Sequence, residues 1–144
     1  MTVSRAMRRL QQVLEIQERE CLAAMESARA DLARLEQALT RSAARERGGR
    51  HLVAASATTG EAIDRIAGIE ETRTARRMAV ALEPRIAEAQ AALDAMRREF
   101  LSKRIERQQT ETLIEEAEAA DKVEAARRAQ KNLDDWFLNR RGRT

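Results

Sequence analysis

The sequence predicts an all-α protein, a long antiparallel two-helix coiled coil with a short extra helix near the turn. Three observations predict it. Charged residues make up 35% of the 144-residue chain and aromatics only 2%. Ala, Leu, Glu, Gln and Arg dominate, and all of them lose little side-chain freedom in a helix. Five glycines and one proline leave long stretches without a breaker, a pattern of long helices rather than a broad globular core. β-Branched and aromatic residues never alternate for long, which excludes a sheet.

The first element is expected over roughly residues 3–47. Val3, Met7, Leu10 and Leu14, then Cys21, Met25, Ala28, Leu32, Leu35 and Leu39, stand at helical spacing. Alternating steps of four and three are the seam of a two-helix coiled coil. Gln17 and Glu18 interrupt it before Cys21, which predicts a local change of supercoil. Gly48 and Gly49 are placed to end the helix.

A loop is expected at about 48–59. Thr58 followed by Glu61 fits a capping box that opens a short helix at about 60–82, carrying Ile63, Ile66 and Ile69. Pro84 then kinks this helix or starts the next in its first turn. The last helix, about 84–139, has a second seam in Leu82, Ile86, Ala89, Leu93, Met96 and Phe100. It blurs across 102–112 and resumes as Val123, Ala126, Gln130, Leu133 and Phe137. The simplest partner for each seam is the other helix. One hairpin domain over 1–144 would then bring both termini together, with Trp136 close to Val3 and Met7.

Chemistry is constrained as firmly. No constellation suits an enzyme: His51 is the single histidine and there is no tyrosine. A small hydrophobe on the seam accounts for Cys21, and one cysteine cannot form an internal disulfide, which fits a reducing compartment. Zinc would need more Cys and His, and no glycine-rich loop opens a helix to hold phosphate. Glu70-Glu71 and Glu115-Glu116 read as solvated helix faces. No cofactor, metal or small-molecule substrate is expected, and no run is apolar enough to insert in a bilayer. The sequence thus reads as a soluble cytoplasmic protein.

Net charge is only +3, from 27 basic and 24 acidic residues. The basic pairs Arg76-Arg77, Arg97-Arg98, Lys103-Arg104 and Arg127-Arg128 have acids three or four residues away that neutralise much of their charge. Stacking aromatics and a reading motif are missing, which argues against nucleic acid. The ends differ: Arg5, Arg8 and Arg9 meet no acid before Glu15, and residues 127–144 hold six bases against two acids. What remains is a stalk that binds proteins through shape, register and exposed charge.

The tail then becomes specific. EAARRAQKNLDDWFLNR, residues 124–140, resembles the C-terminal end of the FliJ family, the small helical component of flagellar type III export. The family pattern is a glutamine-lysine pair, a spacer, Leu or Met, Asp, an acid and an aromatic. Gln130, Lys131, Asn132, Leu133, Asp134, Asp135 and Trp136 fill it. RRLQQVLEIQEREC, residues 8–21, is similar to the family's opening helix.

The resemblance implies a non-enzymatic antiparallel stalk, similar in shape to that of rotary ATPases. Its partners would be a hexameric export ATPase, the cytoplasmic domain of the export gate and export chaperones, at the inner-membrane apparatus. The YscO-type injectisome stalk is the close relative, and a generic coiled-coil scaffold the other alternative. Gln130, Lys131, Leu133, Asp134, Asp135 and Trp136 become candidate ATPase contacts. Arg5, Arg8 and Arg9 would join Arg140, Arg141 and Arg143 in a basic tip. The family's gate-facing aromatics correspond to about Ala38 and Ser42, so a gate contact falls to faces near Leu32, Leu35 and Leu39, or Ile66 and Ile69.

Overall fold

The computed structural model describes residues 3–143. It holds two helices, α1 (Arg5–Thr59) and α2 (Ala62–Arg141), which pack against each other as a helical hairpin. Ser4 caps α1: its hydroxyl accepts a hydrogen bond from the Met7 backbone N–H at 3.2 Å, satisfying one of the four donors a helix start leaves free. Gly60, at φ 73°, ends α1 in the left-handed conformation that glycine adopts without penalty. Its N–H donates to the Ser56 carbonyl at 2.8 Å.

Two sequence-predicted breaks are therefore helical. The predicted loop 48–59 is the last part of α1. A glycine pair weakens a helix by about 1 kcal/mol per residue relative to alanine, yet here tertiary packing needs one of the two. A Cβ on Gly49 would stand 2.7 Å from the Gly68 carbonyl oxygen, and one on Gly68 would stand 2.5 Å from that of Gly49. The two backbones cross where only glycine fits. Gly48, by contrast, faces open space. Nor does the predicted capping box form: the Thr58 hydroxyl turns back to the Ala55 carbonyl at 3.0 Å, and Thr59 does the same at 3.3 Å.

The separate short helix at 60–82 is likewise absent, because α2 passes through Pro84 without a break. Proline removes one backbone donor, but Pro84 and Val80 are both exposed, so water can reach the Val80 carbonyl that loses its partner. Leu82 is buried and Ile86 half-buried, which holds the helix to its partner on either side of the proline.

The chain divides into two compact units, Cys21–Glu99 and Met1–Glu20 with Phe100–Thr144. In the first, the seam positions of α1, all buried or half-buried, are Cys21, Met25, Ala28, Leu32, Leu35, Leu39, Ser42, Glu46, Gly49, Val53 and Ser56. This heptad seam runs straight through the region read as loop. Facing positions on α2 are Gly68, Thr72, Ala75, Ala79, Leu82, Ile86, Ala89, Leu93 and Met96. Small residues dominate near the turn, and Ala75 is 1% exposed. Ser56 and Thr72 satisfy their hydroxyls on the Val53 and Gly68 carbonyls, while the Ser42 hydroxyl is buried without a hydrogen bond.

In the second unit the seam is mixed, with buried Leu14 and Ile114 among polar and charged residues. Val3, Met7, Gln11, Leu14 and Glu18 line it on α1, and Phe100, Lys103, Arg107, Thr110, Ile114, Ala117 and Asp121 on α2. The expected interruption after Leu14 is no gap: Glu18 occupies the seam position and pairs with Arg107. Arg107 also binds Glu111 at 2.9 Å, and these charges hold its guanidinium pKa above the ordinary arginine value, the Glu18 hydrogen bond contributing most. Leu10, expected on the seam, is exposed because Gln11 takes the inward position. Among the described residues, no helix is long and apolar enough to cross a membrane.

Candidate protein-binding surface

Beyond Asp121 every described residue of α2 is exposed. The reason is helix length: α2 has 80 residues and α1 has 55, so the longer helix outruns the shorter in its own unit. Val3 and Arg8 line one hollow with Glu118, Asp121 and Lys122, and Arg8 pairs with Glu118 at 3.3 Å. From Lys122 to Arg141 the helix continues for roughly 30 Å at 1.5 Å per residue.

This overturns the expected seal of Trp136 against Val3 and Met7. Leu133, Trp136 and Phe137 are 52%, 52% and 59% exposed, so Leu133 and Phe137 do not continue the buried seam either. Val123 is exposed as well. The six arginines do not share one tip: Arg5, Arg8 and Arg9 belong to the first turns of α1, near Glu118, while Arg140 and Arg141 end α2.

Within the tail, local contacts replace tertiary ones. Trp136 and Phe137 meet edge to face with centroids 5.1 Å apart, a preferred aromatic geometry. The Arg140 guanidinium lies 5.1 Å from the Trp136 ring centroid, a cation–π contact. Asp134 accepts a hydrogen bond from the Gln130 amide at 3.0 Å, and Arg128 pairs with Glu124. Among the described residues Lys131 makes no ion pair with Asp134 or Asp135, so a simple charge pairing does not explain those acids. Gln130, Leu133, Trp136, Phe137 and Arg140 follow one another at steps of three, three, one and three. At 3.6 residues per turn they form a single stripe: an amide, a leucine, two aromatics and an arginine, with Asp134 at its edge and Asp135 on the opposite face.

Two long helices packed as a hairpin, with such an exposed stripe, agree with one comparison. The profile of the flagellar FliJ protein matches residues 6–143, nearly the whole chain. The chain belongs to the FliJ family. FliJ proteins are non-enzymatic components of flagellar export, related to its stalk. No curated protein and no solved structure matches the chain.

Other positions expected at partner contacts fall differently. Ala38 is half-buried and Ser42 is 2% exposed, so neither presents a surface to a partner. Leu32, Leu35 and Leu39 are half-buried on the seam. Ile66 and Ile69 are exposed, together with Ile63, which leaves α2 as the helix with free apolar side chains after the turn. His51 and Arg50, read as loop, sit on α1. Sequence reasoning missed that Arg50 and Val53 share a groove with α2, because the glycine crossing that joins them has no apolar signal.

Proposed function

We propose that this chain is the stalk and adaptor of the flagellar export apparatus, an antiparallel coiled coil seated in the hexameric export ATPase. The observation that carries the reading is the exposed stripe Gln130, Leu133, Trp136, Phe137 and Arg140 on a stretch of α2 that no part of α1 covers. Large side chains exposed together on one helix face mark an interaction site, and tryptophan and arginine are the residues that most often dominate interfaces. Asp134 borders the stripe, and Lys131 and Asp135 lie on the opposite face of the same helix, open to a second contact.

The stripe docks in the ring, and Arg140, Arg141 and Arg143 accelerate the encounter with an acidic or polar lining. Arg5 and Arg9 add positive charge at the start of α1. The exposed Ile63 and Ile66 offer the other contact, to the cytoplasmic domain of the export gate, and export chaperones use the remaining helix faces. The protein works in the cytoplasm, held at the inner membrane through these partners.

Co-purification with the cognate export ATPase and measurement of its turnover test the reading. The protein alone has no ATPase activity and raises that of the partner and its oligomerisation. Leu133→Ala with Trp136→Ala weakens both effects while helicity is retained. A verified export ATPase unaffected by the wild-type chain would sink the assignment to the ring.

A further inference from the structure

A groove in the Cys21–Glu99 unit is lined by Arg50 and Val53 of α1 and by Ile69, Arg73, Arg76 and Val80 of α2, with Arg77 at its edge. Its volume is about 760 Å³. From Ile69 to Val80 it follows α2 for about three turns. Its apolar lining is Val53, Ile69 and Val80, with Val80 67% and Ile69 42% exposed, and the glycine crossing at Gly49 and Gly68 brings the helices close enough for Val53 to contribute.

The rim is unbalanced in charge. Arg50 and Arg76 share one carboxylate, Glu46, at 2.6 and 3.1 Å. Arg73 pairs with Glu70 at 3.3 Å, and among the described residues Arg77 has no ion pair. Four guanidiniums thus face two carboxylates, since nearby Glu71 is held by Arg45 at 2.6 Å. Guanidiniums bind carboxylates with forked geometry and are weakly hydrated, which suits them to an interface.

We infer that this groove receives an acidic amphipathic helix of a partner protein, about three turns long, whose apolar stripe covers Val53, Ile69 and Val80 and whose carboxylates meet the arginine rim. Helix-in-groove binding is anchored by an apolar stripe on the inserted helix. On the groove side Ile69 and Val80 share one face of α2 with Arg73 and Arg76 between them, so apolar contacts bracket the guanidinium contacts along it. The apolar lining distinguishes this occupant from nucleic acid, which would meet no stacking aromatic here. The inference stands on the groove and does not depend on the tail or the ATPase.

Fluorescence anisotropy on the full chain tests it with a labelled peptide of about 16 residues, leucine at helical spacing and glutamate elsewhere, long enough to span the groove. A lysine-for-glutamate peptide and a single-stranded oligonucleotide of similar charge serve as competitors. The glutamate peptide binds saturably, more weakly as salt rises, and Arg76→Glu with Arg77→Glu weakens it at least about tenfold. Because Arg76 also bonds Glu46, Arg77→Glu and Val80→Asp are measured separately, with thermal melts to show that they fold. Each weakens binding, whereas Trp136→Ala leaves it unchanged. Failure to saturate, equal binding of the lysine peptide or the oligonucleotide, or equal affinity of the folded variants overturns the proposal. So does sedimentation showing that the wild type self-associates through the groove, for instance with the base-free stretch 108–121 of a second copy, and that Arg77→Glu abolishes it.

Discussion

The Cys21–Glu99 unit and the unit of Met1–Glu20 with Phe100–Thr144 use the same two helices and are held together by different forces. In the first, leucine, isoleucine, methionine and alanine fill the seam, and a glycine crossing brings backbone against backbone. In the second, Glu18, Lys103, Arg107 and Thr110 take seam positions, and α2 then continues without a partner. Apolar burial is non-directional and contributes with area, whereas the half-buried Glu18–Arg107 pair offsets its attraction with the cost of partial desolvation. The uncovered tail beyond Asp121 adds exposed side chains without adding to the core, whereas the Cys21–Glu99 unit buries Met25, Ala28, Ala75, Leu82 and Leu93.

Truncating the core breaks the comparison most strongly. Leu93→Ala, at a buried seam position, costs about 2–4 kcal/mol. Leu133→Ala, on the exposed tail, changes stability by no more than about 0.5 kcal/mol. Chemical denaturation followed by circular dichroism compares them, and equal losses would place the tail in the core after all.

Next are the glycines. Gly68→Ala puts a Cβ against the Gly49 carbonyl and the Val53 backbone and costs about 1–3 kcal/mol through forced separation of the helices. Gly48→Ala meets nothing and gains up to about 1 kcal/mol in helix propensity. Opposite signs in thermal melts are expected; a gain at Gly68 would remove the close crossing.

The ion pair comes third. Arg107→Ala leaves Glu18 and Glu111 without their shared guanidinium and lowers the melting temperature by less than Leu93→Ala. Glu18→Leu with Arg107→Leu restores or exceeds the wild-type value, because a polar seam replaced by apolar side chains loses no desolvation cost. A double variant less stable than Arg107→Ala alone contradicts this.

The smallest effect is a pH dependence in the apolar unit. Hydrogen bonds from Arg45 hold the Glu71 carboxyl below its ordinary value. A lowered folded-state pKa stabilises above the ordinary glutamate range and is lost as pH falls through the folded value. Glu71→Gln therefore lowers the melting temperature at neutral pH, and the difference vanishes in acid below the ordinary range. A difference that grows on acidification reverses the sign.

Large apolar side chains made the sequence legible. The seams Met25 to Leu39 and Leu82 to Met96 announced themselves, and so did the all-α class. The hairpin was misread where small or polar residues occupy inward positions: Ser42, Gly49, Ser56, Gly68 and Ala75 near the turn, Arg107 and Thr110 in the other unit. A glycine that permits a backbone crossing looks in sequence like a glycine that ends a helix. Pro84 reads as a breaker, since sequence does not reveal that Val80, whose carbonyl loses its donor, is exposed. The tail motif was legible as a pattern. Its exposure was not, because Leu133 and Phe137 keep seam spacing and only the lengths of the two helices show that no partner lies beside them.

The central claim is that the stripe around Trp136 serves a partner and not the fold. Its most direct measurement is the turnover of the cognate export ATPase titrated with the wild-type chain and with Leu133→Ala, Trp136→Ala, alongside their melting curves. Stimulation by the wild type and a clear loss with the variant at unchanged melting temperature are expected. Full stimulation by a stable variant, or a fall in melting temperature that accompanies the loss, would contradict it.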